Sequence, residues 1–137
     1  LCQHDLDITA FGHPNGYVPG GKVFVDSSKE LLEIAKKVAV TENLKVIEGV
    51  IATGDQFVHS NERKDFIEKT FQADALEMEG ASVAVVCDSL NVPFFILRAI
   101  SDSANGEANF DFDEFLNSSA KISSNYLVKI VDELIKK

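Results

Sequence analysis

The sequence has no tryptophan, one methionine, three prolines and two cysteines in 137 residues. Cys2 and Cys87 are too few for the disulfide framework that staples small secreted domains, so stability has to come from a packed core. Cys87 falls on an apolar helical face and reads as a small hydrophobe. Positive charge is also scarce: 13 Lys and Arg stand against 22 Asp and Glu, a net −9. A nucleic-acid backbone is held by clustered Lys and Arg, so it is excluded as the expected partner. Long apolar runs are missing too. The run VPFFIL falls far short of the ~20 residues of a membrane-crossing helix, so no membrane partner is expected. No charged-then-apolar leader opens the chain, and with so few cysteines a cytoplasmic location is expected. His4, His13 and His59 are scattered without ligand spacing, so no metal and no cofactor are expected. No Ser-His-Asp or Cys-His pattern and no Gly-rich phosphate motif stands out. The chain opens LCQHDLDITAFG, with no Met and no element leading in, which suggests part of a longer protein.

What is present is a core. Hydrophobic residues make up 45% of the chain, enough for one domain. LDITAF (6–11) reads as a strand and GHPNGYVPGG (12–21) as a loop. KVFVD (22–26) reads as a short extended piece. Ser27 or Ser28 caps a helix to about Val40, with Leu31, Leu32, Ala35, Val38 and Ala39 at helical spacing. KVIEGVIATGD (45–55) is a strand ending in Thr-Gly-Asp. A helix over 61–71 carries Phe66, Ile67 and Phe71 on one side. ADALEM (73–78) is a short strand and 79–90 a helix of small and apolar residues. FFILRAIS (94–101), almost wholly apolar, reads as a strand buried on both faces. Asp111, with Glu114 as its capping-box partner, starts a last helix. Its inward face is expected to hold Phe112, Phe115, Leu116, Ser119, Ser123, Leu127, Ile130, Val131 and Leu134.

Alternating strands and helices imply a parallel sheet with helices on its faces. Ligands of such sheets bind at the carboxyl edge of the strands. Thr53, Gly54, Asp55, Glu79, Ser101 and Asp102 are therefore expected to converge on one rim. Either acid alone could be mere punctuation, Glu79 at a helix start and Asp102 at a turn. Two carboxylates on one rim suit cleavage of a glycosyl bond. One protonates the leaving group, and the other accepts hydrogen bonds from sugar hydroxyls. Met78 offers a polarisable surface to a sugar face.

ATGDQF, ALEMEGASVAVVC, VPFFILRAISDSA and FDFDEFLNSSAK resemble the 5′-methylthioadenosine/S-adenosylhomocysteine nucleosidases of the nucleoside phosphorylase superfamily. The resemblance covers nearly the whole chain. It implies a three-layer αβα fold with a mixed central sheet, of which residues 1–137 would be the C-terminal part. It also implies hydrolysis of 5′-substituted adenosines, possible substrates including 6-amino-6-deoxyfutalosine of a menaquinone route, with release of adenine. Asp102 would then be the general acid at purine N7, steadied by Ser101. Glu79 would bind the ribose hydroxyls, Met78 would pack on the sugar, and Phe57 and Val58 would meet the purine. Glu77 reads more readily as a strand-end carboxylate paired with Arg98 or backbone. In the homodimer that the resemblance implies, Ile8, Phe11, His13 and Pro19 would line the partner subunit's pocket. The family's longer chains carry a water-orienting glutamate in an N-terminal half that has no counterpart here. The 137 residues alone are therefore expected to be inactive. A phosphorylase of the same superfamily, or a non-catalytic nucleoside-binding or dimerisation fragment, is the competing reading.

Overall fold

A computed structural model describes residues 1–101 and 112–136. Its centre is a parallel sheet in the order β1-β2-β3, with β1 at Cys2–Gln3, β2 at Ile51–Thr53 and β3 at Ala75–Glu77. Helix α1 (Lys29–Thr41) connects β1 to β2, and α2 (Asn61–Phe71) connects β2 to β3. Helix α3 (Gly80–Leu90) follows β3, and α4 (Phe112–Ile135) closes the chain. Two serines start two of the helices. The Ser28 hydroxyl accepts from Leu31 N at 3.4 Å and the Ser60 hydroxyl from Arg63 N at 3.2 Å. Each satisfies one of the amides that a helix start leaves free.

The register explains the layering. Cys2, Ala52 and Leu76 lie side by side across the sheet and pack on Ile67 and Phe71 of α2. Burial in that cluster raises the Cys2 thiol pKa to about 11, so it stays a thiol. One residue further, Gln3, Thr53 and Glu77 align, and side chains alternate in strands, so they face the other way. That face meets α3, whose Ala81 N donates to Thr53 Oγ1 at 2.8 Å. Helix, sheet and helix make the expected αβα arrangement. Among the described residues every ladder is parallel, so the expected mixed sheet is reduced to a lone antiparallel bridge between Cys2 and Phe24. That bridge is all that forms of the extended piece at 22–26.

All four predicted strands change. LDITAF is not a strand: Thr9–Phe11 is a 3₁₀ turn. The Asp7 carboxylate accepts from Thr9 N at 2.9 Å and from its hydroxyl at 2.7 Å, closing a local turn that competes with a ladder. Gly12 then ends the turn at φ 81°, where a side chain would be strained. The 45–55 strand contracts to Ile51–Thr53 and 73–78 to Ala75–Glu77, because pairing spans only the registered residues. The 94–101 stretch forms no ladder among the described residues, although the Phe94 carbonyl accepts from Ser28 N at 2.7 Å. Its apolar pattern still has the expected meaning. Phe94 and Ile96 pack with Val25 and Ala84, while Phe95 and Leu97 pack on the α1–α4 cluster. The segment is thus covered on both sides without being paired at its edges.

Helix α4 lies on α1 through Tyr126, Ile130 and Leu134. Tyr126 Oη donates to the Ala35 carbonyl at 2.7 Å. Leu116, Leu127 and Val131, expected inward, are exposed. Leu127 and Val131 each sit one position past the i, i+4 stripe that meets α1, hence about 100° around the helix. On α2, Phe66 is likewise more exposed than predicted and carries the Arg63 guanidinium 5.0 Å above its ring. The predicted Asp111 cap and the side chains of Phe112 and Glu114 lie outside the described residues. None of the described helices is long and apolar enough to cross a membrane.

Candidate functional site at the carboxyl edge of the sheet

Because the strands are parallel, β2 and β3 end at the same edge. Beyond β2 come Gly54, Asp55, Phe57 and Val58, and beyond β3 come Met78 and Glu79. Arg98 brings the 94–101 segment to the same place. Its Nη2 lies 3.0 Å from Glu77 Oε2 and is also paired with Glu79 Oε2. Of the predicted convergence, the described residues bring together the ends of β2 and β3 and, from the third segment, the Arg98 side chain.

Glu77 and Glu79 are two residues apart and their environments are opposite. The Glu77 side chain is 5% exposed and that of Glu79 is 67% exposed. Glu77 accepts from Gly80 N at 2.7 and 2.9 Å, from Glu79 N at 3.1 Å and from the Thr53 hydroxyl. Both of its oxygens are engaged by β2, by the start of α3 and by Arg98. The preferred sequence reading, a strand-end carboxylate paired with Arg98 and backbone, describes it. Gly80 is required by this packing, since a Cβ there would meet Leu1 Cδ2 at 2.8 Å and Glu77 Oε1 at 3.0 Å. Glu79 occupies the N-cap position of α3 without a capping hydrogen bond from its side chain. Its carboxylate, paired with Arg98, faces outward. A carboxylate so held can accept two hydroxyl hydrogen bonds at once.

Phe57 is 74% exposed, an apolar ring presented beyond the end of β2. Val58 packs back on the α2 cluster and anchors the same loop. Met78 is exposed beside the two glutamates. Ser101 is half-buried at the end of the segment that carries Arg98. Asp102, the expected acid, lies outside the described residues. Elsewhere, Phe11 is 81% exposed on the 3₁₀ turn that Ile8 caps, and His13 stacks on Tyr17 with ring centroids 4.4 Å apart. Pro19 is exposed further along the same loop. No group of three or more His, Cys, Asp or Glu able to hold a metal occurs among the described residues.

A second polar cluster at this edge was not anticipated. His4, buried, follows β1 and donates its backbone N–H to the Thr53 carbonyl at 2.8 Å. Arg63 Nη2 donates to the His4 carbonyl at 2.9 Å and lies 3.3 Å from its Nδ1. Asp5 Oδ2 accepts from Asp55 N at 2.5 Å. Burial lowers the His4 pKa, Asp5 opposes that shift and Arg63 adds to it. With 59 residues separating His4 from Arg63, no local spacing pattern could reveal the pair.

An αβα protein with polar groups gathered at the strand ends is the kind that binds small molecules there. The Phosphorylase superfamily profile matches residues 1–136, and the chain belongs to that family. It is 54% identical to the aminodeoxyfutalosine nucleosidase of Campylobacter jejuni over 134 residues, covering 98% of this chain and 58% of that protein. It is 44% identical to the 5′-methylthioadenosine/S-adenosylhomocysteine nucleosidase of Bacillus cytotoxicus, covering 96% of this chain and 58% of that one. Among solved structures, the Campylobacter jejuni 5′-methylthioadenosine/S-adenosylhomocysteine nucleosidase superposes with a TM-score of 0.93 at 54% identity. That match covers 96% of this chain and 58% of the other. A Helicobacter pylori nucleosidase bound to butyl-thio-DADMe-Immucillin-A matches with a TM-score of 0.88 at 51% identity, covering 96% and 57%. The chain thus spans rather more than half the length of these relatives.

Proposed function

We propose that this chain is part of a nucleosidase that hydrolyses the N-glycosidic bond of 5′-substituted adenosines and releases adenine. The observation that carries this reading is the rim itself. An outward carboxylate, Glu79, is fixed by Arg98, which a buried Glu77 also holds; an exposed thioether, Met78, precedes it in the chain, and an exposed apolar ring, Phe57, follows the neighbouring strand. The similarity to proteins named as nucleosidases supports the same chemistry. The relatives' names also favour hydrolysis over phosphorolysis.

In this reading Glu79 accepts the ribose hydroxyls, Met78 lies on the sugar, and Phe57 meets the purine face while Val58 lines its edge. Asp102, protonated, gives its proton to N7. The bonding pair of the C1′–N9 bond passes to the purine, water adds to C1′, and the proton that water loses balances the one donated. Ser101 steadies Asp102. Glu77 acts by holding the Glu79 segment and does not itself touch substrate. By the same resemblance the water-orienting glutamate belongs to a part of the family's length that this chain does not span. These 137 residues are then expected to bind nucleoside and not to turn it over. The protein is placed in the cytoplasm as a homodimer, with Ile8, Phe11, His13 and Pro19 reaching the partner's 5′ pocket. An apolar ring as exposed as Phe11 is suited to such a contact.

The test is to incubate the whole protein with 5′-methylthioadenosine, S-adenosylhomocysteine and aminodeoxyfutalosine, with and without phosphate. Adenine and a free ribose sugar, at a rate indifferent to phosphate, are expected. A sugar phosphate product, formed only with phosphate, would replace this reading with the phosphorylase.

A further inference from the structure

The His4–Arg63 cluster is not used by the chemistry above, and it sits directly under the loop that carries Phe57. The two chain segments leaving β1 and β2 are fastened to one another twice, through His4 N to the Thr53 carbonyl and through Asp55 N to Asp5. The imidazole lies against Gly54, where any Cβ would collide with its Cε1 and Nε2. Arg63, in the first turn of α2, ties the far end of the same loop to the His4 carbonyl. The loop's entry and exit are thus both referred to one buried ring.

Arginine offers only donors, so at 3.3 Å the His4 Nδ1 serves as acceptor for Arg63 Nη2. The ring is then neutral with its proton on Nε2. That nitrogen and Arg63 Nε are both buried and have no hydrogen-bond partner among the described residues. Buried polar atoms left unpaired are costly. The arrangement therefore works against stability locally, which is common where geometry is held for a function.

We propose that His4 and Arg63 are positioning residues that set the course of the 54–58 loop and so the place of Phe57 against the substrate's base. What Phe57 meets rests on the nucleosidase reading; the clamp on the loop does not. Arg63 grips backbone and ring together, a two-point contact that the point charge of a lysine does not reproduce.

The experiment uses the whole protein, wild type, Arg63→Gln and Arg63→Lys. Imidazole nitrogen NMR of the wild type is expected to show His4 neutral with its proton on Nε2. In Arg63→Gln that signature is lost and the backbone amides of residues 54–58 shift. KM for 5′-methylthioadenosine rises about tenfold, as Phe57 loses part of its stacking on the base, while kcat moves far less. Arg63→Lys leaves KM closer to Arg63→Gln than to wild type. A wild-type ring protonated on Nδ1, unshifted loop amides in Arg63→Gln, or an unchanged KM would each overturn the proposal. If the wild type releases no base from any nucleoside, the nucleosidase reading fails and the ring and amide signals alone decide the clamp. If Arg63→Gln does not fold, the wild-type signature and Arg63→Lys decide it.

Discussion

Glu77→Ala is the perturbation that separates a carboxylate holding the rim together from one presented by it. The Glu77 side chain is 5% exposed, and its oxygens serve the amides of Gly80 and Glu79, the Thr53 hydroxyl and Arg98. Truncation leaves two amides and a hydroxyl without their acceptor, at about 1–3 kcal/mol for each buried group left unpaired. It also takes from Arg98 one of its two carboxylates, while Glu79 stays on the guanidinium. These contributions share one carboxylate and do not add. A loss of about 2–4 kcal/mol, carried by the unpaired amides and hydroxyl, is expected, read as a fall in the urea midpoint of the whole protein at unchanged m-value. Glu79→Gln is the matched control. Its carboxylate is 67% exposed and, among the described residues, pairs with Arg98 alone, and such surface pairs contribute about 0–1 kcal/mol. It should leave the midpoint almost unmoved while weakening nucleoside binding. A midpoint for Glu77→Ala within about 0.5 kcal/mol of wild type, the range of ordinary surface changes, would refute the reasoning. So would a Glu79→Gln that unfolds as readily as Glu77→Ala.

Asp102→Asn should cut adenine release by about 10²–10⁴-fold, the usual contribution of a general acid, with nucleoside binding by calorimetry retained. Gly54→Ala places a Cβ into the buried His4 ring and should lower stability by about 1–3 kcal/mol, as overpacking does, measured by thermal melting. Glu133, hydrogen-bonded by Lys37 and Lys136, has its pKa lowered from 4.5 to about 2. Its contribution to stability is therefore full above about 4.5 and lost as the pH falls towards about 2. The difference in urea midpoint between wild type and Glu133→Gln should shrink over that window and vanish below it.

The helices were the legible part of the fold. Ser28 and the apolar spacing from Leu31 to Ala39 announced α1, and the 61–71 reading matches α2 from Asn61 to Phe71. Those signals are local. Strands were harder, because a strand exists only where a neighbour pairs with it. LDITAF has the composition of a strand, but the Asp7 side chain closes its own turn. FFILRAIS has the apolar pattern of one but no ladder among the described residues. At the site, the pairing of Glu77 with Arg98 could be anticipated, since a buried strand-end acid needs a cation or amides. The outward turn of Glu79 follows from its place at the N-cap. His4 has no metal-ligand spacing to mark it in the sequence, and its partner is a guanidinium far along the chain. Such a contact is written in the tertiary fold and not in any window of sequence.

One consequence lies in how the start of α3 is used. The positive end of a helix is a natural socket for a free anion. Here the amides of Glu79 and Gly80 already face Glu77, and that of Ala81 faces the Thr53 oxygen. The socket is filled by the chain's own atoms. A phosphate or sulfate arriving from solution finds no vacancy there, and what the helix offers a visitor is its negative doorpost, Glu79. That end of the helix thus presents hydroxyl groups with an acceptor, while its amides at Glu79, Gly80 and Ala81 are already spoken for.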